Sequence, residues 1–173
     1  GVRAVFRSRY LLGISGYMLL ASIAMTYVYF TRLRMVEALG ESLDERAKIF
    51  ANLDLITQVA TLALQLIVAG HFMKRFGVSA ALVAMPIVVV LGFFGLALVG
   101  TYAALVVFES TLRAVRYAIM QPARHTLFTV VSREDKYKSK AFTDTFVTRG
   151  GDVIGAWTQG LLVHGLGPRL AAV

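Results

Sequence analysis

Residues 79–99 read SAALVAMPIVVVLGFFGLALV and contain no charged group. A helix crosses a bilayer core with about 20 predominantly apolar residues, and this run is long enough. It is one of a series. Apolar blocks of similar length recur at about 9–30, 49–72, 103–120 and 141–163, divided by short polar or glycine-bearing segments. In hydrocarbon every backbone N–H and C=O must be satisfied within its own segment, so such blocks are helices. The expectation is an all-α, polytopic membrane bundle of about five helices. A sixth would begin near Pro168 and is cut off at the end of the sequence.

The composition agrees. Hydrophobic residues make up 57% of the chain and charged residues 16%, against roughly 25% charged in an ordinary soluble domain. The chain begins at Gly1 without a methionine and stops at RLAAV, which reads as a fragment of a longer protein. Arg3, Arg7 and Arg9 precede an apolar run over 10–30. That run is longer than the roughly 7–15 residues of a signal-peptide core, so a spanning helix is expected there.

The formal charge of +8 is unevenly placed. With the N-terminus in the cytoplasm, the inner side holds Arg3, Arg7, Arg9, Lys74, Arg75, Arg124, Arg133, Lys136, Lys138 and Lys140. The outer loop holds Arg32, Arg34, Arg46 and Lys48, diluted by Glu37, Glu41, Asp44 and Glu45. This is the positive-inside pattern, and it accounts for the basic balance without a nucleic-acid partner. No cysteine is present, and His71, His125 and His164 lie without ligand spacing. No metal, cofactor or enzymatic arrangement of Ser–His, His/Glu or paired aspartates is expected.

Positions at i, i+4, i+7 and i+11 share a helix face. In the second span these are Asp54, Gln58, Thr61 and Gln65; in the first Ser15, Ser22, Thr26 and Tyr29; in the fourth Tyr102, Glu109, Arg113 and Arg116. In the fifth they are Asp144, Thr148, Asp152, Gly155 and Gln159, whereas the third span has no polar stripe and is expected to face lipid. A charge at the bilayer centre costs at least about 2.5–3.5 kcal/mol, so such residues face a cavity or a partner. Glu109 and Arg113 are spaced to pair along the helix, as are Arg149 and Asp152, and Arg116 is left over or snorkels to the cytoplasmic surface. Two readings stay open: Arg113, Arg116 and Arg149 lend positive charge to a central cavity, or the charges are structural ion pairs. Asp54 and Gln58 either face that cavity or hydrogen-bond between helices. Asp54, Glu109 or Asp152 would release an arginine, or carry a proton, as the cavity changes side. SREDKYKSK, 132–140, reads as a solvated loop, and Gly150-Gly151 as a site of helix bending.

GHFMKRFG, 70–77, resembles the loop signature between adjacent helices in the major facilitator superfamily: Gly70, Arg75, Phe76 and Gly77 match, Leu82 fits the distal apolar position, and Lys74 stands where a carboxylate is usual. The segment 116–152 resembles the late helices of the ATP/ADP translocase family. Arg116-Tyr117-Ala118, Pro122, Arg124, Lys138, Lys140-Ala141, Asp144, Arg149 and Gly150-Gly151 fall in that family's order. The resemblance implies helices seven to eleven of a twelve-helix exchanger in a bacterial inner membrane, its N-terminal half missing here. It also implies a gating loop at Gly70, Lys74, Arg75 and Gly77, and a peripheral third span.

The expected function is therefore secondary transport by alternating access. The solute would be a small organic anion, a nucleotide by the resemblance, handled by Arg113, Arg116, Arg149, Asp54, Gln58, Glu109 and Asp152. The alternative is a non-transporting membrane anchor or regulatory module, which has no need of intramembrane charges.

Overall fold

The computed structural model describes residues 2–129 and 133–165, with side chains at 5–63, 65–66, 75–129 and 137–163. The sixth span expected near Pro168 lies outside the described residues. Every described element is helical: α1 (Val2–Arg7), α2 (Arg9–Leu39), α3 (Leu43–Val99), α4 (Tyr102–Ala114), a π-helical turn (Val115–Met120), α5 (Gln121–Leu127), α6 (Arg133–Phe142), a second π turn (Thr143–Val147) and α7 (Thr148–Gly165).

Local chemistry sets several of these boundaries. Ser42 caps α3 in a reciprocal capping box: its side chain accepts from the Glu45 N–H, and the Glu45 carboxylate accepts from the Ser42 N–H. This satisfies two donors that a helix start leaves over. At the other end Gly100 takes the left-handed conformation (φ 59°) and closes α3, and Thr101 immediately caps α4 through the Ala104 N–H. A left-handed glycine at the end of one helix and a hydroxyl at the start of the next make the tight GTY turn. Gly77 interrupts α3 at φ 75°, ψ 180°, a region open essentially to glycine alone. It separates the expected second and third spans where the RFG motif implies.

Other boundaries differ from expectation. The first helix does not end near residue 30; it continues to Leu39 and carries Arg32 and Arg34 within it. Helical structure does not stop before Pro122 but runs on through α5. The π turn just ahead widens the coil, with the Gln121 N–H donating to the Arg116 carbonyl five residues back. That register relieves the clash a proline ring makes with a carbonyl one α-turn earlier. The basic segment read as a loop is helical from Arg133.

Among the described residues, two helices are long and apolar enough to cross a membrane: α2 and the stretch Arg75–Val99. Five were expected. Of the other three segments, α4 is 13 residues long before its π turn, the last carries Arg149 and Asp152 in α7, and residues 67–74 of the second expected span lie outside the residues whose side chains are described.

The chain divides into two compact units, one of 1–30 with 127–172, the other centred on 31–126. In the first, α2 packs along the helical run from α6 to α7 through small residues. A Cβ added at Gly151 would lie 2.7 Å from the Ser22 Cβ and 2.8 Å from the Leu19 carbonyl, and one at Gly155 2.9 Å from the Thr26 Cβ. Only glycine lets the backbones come this close. Gly151 therefore serves packing rather than the bend expected of the pair, while its neighbour Gly150 faces open space. Along the same seam Ser15 meets Thr143 at 3.3 Å, and the Tyr27 hydroxyl meets that of Thr158 at 3.1 Å.

In the second unit, α3 packs against α4 and the π turn that follows it. Ala81, Ala118, Ile119 and Ala123 form a small-residue core flanked by Val78, Leu82 and Val115. Gly92 makes room for the Phe108 ring, which meets Phe93 edge-on at 5.4 Å. The opposite face of the third expected span is bare: Val83, Ile87, Val90, Leu91, Phe94 and Leu98 are all exposed.

Candidate functional site

Four charged side chains converge in the second unit. Arg32 comes from α2, Asp54 from the early turns of α3, and Glu109 and Arg113 from successive turns of α4. Arg32 Nη2 lies 2.9 Å from Asp54 Oδ1, and Arg113 Nη2 donates to the same oxygen at 3.3 Å. Arg32 Nη1 lies 3.7 Å from Glu109 Oε2, and Arg113 Nη2 lies 3.8 Å from that same atom. Each guanidinium thus faces both carboxylates, and each carboxylate faces both guanidiniums. Like charges alternate with opposite ones, so two cations and two anions balance to zero.

Burial grades across the group. The side chains of Arg32 and Glu109 are each 6% exposed, Arg113 is 21% exposed and Asp54 50%. Arg32 and Glu109 form an inner pair, and Arg113 and Asp54 a more exposed outer pair. The Arg32 guanidinium also lies over the Phe50 ring, 4.3 Å from its centroid, a cation–π contact that helps to offset its loss of water.

The site holds unused hydrogen-bonding capacity. Arg32 Nε and Nη2 and Glu109 Oε2 have no hydrogen-bond partner among the described residues, although the 2.9 and 3.7 Å approaches give them charge neutralisation. Proximity here is ionic; the angles do not make hydrogen bonds. Thr57, Thr61 and Ser110, on the same two helices and buried, also carry hydroxyls without a partner among the described residues. Buried polar groups are normally satisfied, and these atoms are among the exceptions within the described residues.

The sequence-predicted residues fall in different places. Glu109 and Arg113 come together as expected, but Asp54 approaches Arg113 more closely than Glu109 does. Gln58 is exposed and does not join the group, whereas Asp54 of the same predicted stripe does and Thr61 lies in the buried line Leu53, Thr57, Thr61 of that helix. Arg116 sits on the π turn against Tyr117, 5.8 Å from the ring centroid, outside the four-residue group. Arg75 is exposed beside Phe76 at 5.8 Å, and Gly77 supplies the helix break. Gly70 and Lys74 fall outside the residues whose side chains are described.

Arg149 and Asp152 belong to the first unit and pair at 3.7 Å. Arg149 is largely exposed, while Asp152 Oδ1 accepts from the Ser22 hydroxyl at 2.5 Å and lies 3.5 Å from that of Thr26. Asp152 is thus a partner of the α2 serine and threonine as much as of Arg149.

Arg32 was missed by sequence reasoning, which assigned it to an outer loop. A signal was present. Val28, Arg32 and Val36 stand at successive i+4 positions of one helix, and all three are buried. A cation in line with two buried valines is drawn inward by a counter-charge that lies elsewhere in the sequence.

Among the described residues no His, Asp and Glu side chains gather as a metal ion requires. A separate groove, lined by Val88, Leu91, Gly92, Val107 and Phe108 among others, has no charged side chain in its wall. Comparison of the chain with protein-family models, with curated proteins and with solved structures finds no match.

Proposed function

We propose that this chain is part of a multi-pass secondary transporter, working by alternating access in a bacterial inner membrane, that carries a small organic anion. The observation behind this reading is the Arg32–Asp54–Glu109–Arg113 group. Buried ion pairs add little to stability against apolar residues of similar volume, so their presence in an apolar chain calls for another reason. Two guanidiniums facing a half-open site suit a carboxylate or phosphate, which each fork binds in bidentate fashion. The resemblance of 116–152 to nucleotide exchangers favours a nucleotide among such anions. An anchor or regulatory module has no use for a neutral cluster with unused donors.

The test is uptake into proteoliposomes carrying the full-length protein that contains this chain. Labelled ATP, ADP and a dicarboxylate such as succinate are offered with and without unlabelled anion trapped inside. Saturable uptake of at least one of them is expected, with Arg113→Ala abolishing it. Uptake of none of the three, from protein shown to be folded and inserted, overturns the reading.

A further inference from the structure

We propose that the end of the first unit formed by α1, the first turn of α2 and α6 is a binding surface for anionic phospholipid headgroups of the cytoplasmic leaflet. This rests on the membrane part of the reading above and needs no transported anion.

Local chemistry builds that end. Ser8 stands between α1 and α2 and caps the second, its hydroxyl accepting from the Leu11 N–H at 3.4 Å. The long apolar helix therefore starts at Arg9, and α1 is a separate piece ahead of it. α1 packs against α6, and Val5 of the one and Ser139 of the other are buried. The Tyr10 hydroxyl donates to the Leu127 carbonyl at 3.0 Å, which ties the first turn of α2 to the chain shortly ahead of α6.

This end presents cations and aromatic rings together. Arg7 and Arg9 are exposed, and neither has a carboxylate partner among the described residues. On α6, Lys138 is exposed next to Tyr137. Phe6 is 70% exposed and Tyr137 73%. Bulk water suits the cations and leaves the rings unexplained; lipid tails suit the rings and make the cations costly. The headgroup layer accommodates both. Aromatic rings collect at that level, long cationic side chains lay their stems along apolar surface, and a guanidinium fork matches a phosphate. Segments 1–10 and 132–140 carry seven basic residues against Glu134 and Asp135, so the balance is positive. The apolar run of α2 begins at this patch, which sets it where the chain enters the bilayer, and the positive-inside pattern puts that entry on the cytoplasmic side. Anionic lipid is the complementary charge there.

Each Lys or Arg close to an anionic membrane surface strengthens binding about fivefold. The experiment measures equilibrium binding of radiolabelled dioleoyl phosphatidylglycerol and dioleoyl phosphatidylcholine to the purified full-length protein that contains this chain, in mixed micelles of neutral detergent at low salt. The parent should prefer phosphatidylglycerol by at least about twenty-five-fold, the worth of Arg7 and Arg9 together. The double variant Arg7→Gln, Arg9→Gln should lose most of that preference and keep its phosphatidylcholine binding, which also reports an intact fold. Lys138→Gln alone should lower the preference about fivefold. Sodium chloride at about 1 M, which shortens the screening length to about 3 Å, should abolish it in the parent. Lys48→Gln, exposed on α3 at the expected outer side, should leave it unchanged. Equal binding of the two lipids by the parent overturns the proposal. A preference that survives in both the double variant and Lys138→Gln overturns the location, as does one that vanishes in Arg113→Ala instead. An RNA oligonucleotide held as tightly as phosphatidylglycerol, and released by the same substitutions, overturns the lipid assignment in favour of nucleic acid. Solute uptake is read in a separate assay, so failure here leaves the anion reading standing.

Discussion

Arg32 Nη2 approaches Asp54 Oδ1 to 2.9 Å from a helix face it shares with the buried Val28 and Val36. The arginine is closed in and its counter-ion is half open, so the pair spans the border between the packed interior and the accessible site.

Removing Arg32 should be expensive. Breaking a buried pair by deleting one partner typically costs about 3–5 kcal/mol, because the other charge is left uncompensated. Glu109, with Arg32 as one of its two cations, is the charge at risk. Arg32→Ala is therefore expected to lower unfolding stability in detergent by about that amount. Arg149→Ala removes an exposed arginine paired at 3.7 Å and should change stability by about 0–1 kcal/mol. Equal effects of the two substitutions in thermal or denaturant melts would show that Arg32 is not buried as described.

Two adjacent glycines provide a sharper contrast. Gly151 lies against Ser22 and Leu19, and Gly150 faces nothing within 4 Å. Gly151→Ala drives a methyl group into backbone and should cost about 1–3 kcal/mol by overpacking. Gly150→Ala should be neutral or stabilising by up to about 1 kcal/mol, the helix-propensity gain of alanine over glycine. Melting temperatures of the two variants decide the matter, and reversed signs would place the other glycine in the helix contact.

At Gly77 the cost is conformational rather than spatial. A Cβ there would meet nothing within 4 Å, yet φ is 75° with ψ 180°. Gly77→Ala should destabilise by about 1–3 kcal/mol. Gly95→Ala, at an ordinary helical position with equally open surroundings, should not. If Gly77→Ala were silent in unfolding measurements, the break in α3 would have to relax into continuous helix.

What the sequence made legible was local. The GTY turn and the break at Gly77 follow from residues that dictate their own backbone, and the Glu109–Arg113 pairing follows from spacing on one helix. What it hid was set by partners distant in the chain. Arg32 and Arg34 read as loop because charge ordinarily means solvent, but the carboxylates facing Arg32 lie on α3 and α4. Pro122 read as a helix stop because the widened turn before it has no sequence mark of its own. Gln58 is exposed where Leu53 and Thr57 of the same helix are packed at 0% exposure, a rotation that a polar stripe does not fix.

Asp152 shows how a polar seam can be tested without reference to solute. The Ser22 hydroxyl lies 2.8 Å from the Thr148 carbonyl and 2.5 Å from Asp152 Oδ1. It has one hydrogen for two acceptors. Asparagine at 152 could donate its amide to Ser22 and leave the serine hydrogen to Thr148, so Asp152→Asn should hold the helix contact and change stability by less than about 1 kcal/mol. Asp152→Leu removes the carboxylate that accepts from Ser22 and Thr26 and pairs with Arg149, at a cost of about 1–3 kcal/mol. Should the two variants melt alike, the seam would be held by the glycine contacts alone.

The final prediction concerns how Arg113 meets a solute. Its guanidinium is shared between Asp54 at 3.3 Å and Glu109 at 3.8 Å, and it is more accessible than Arg32. Arg113→Lys keeps the charge and loses the planar fork that grips a carboxylate or phosphate with two parallel bonds. An ammonium reaching the same oxygens would still neutralise Asp54, so folding should survive. Loss of one charge-assisted hydrogen bond costs about 1.5–3 kcal/mol, which corresponds to roughly a tenfold to hundredfold rise in the half-saturating concentration. Initial uptake rates against concentration in proteoliposomes, normalised to inserted protein, give that value directly. Parental uptake by Arg113→Lys would mean that the arginine only neutralises its neighbours and that the solute binds elsewhere.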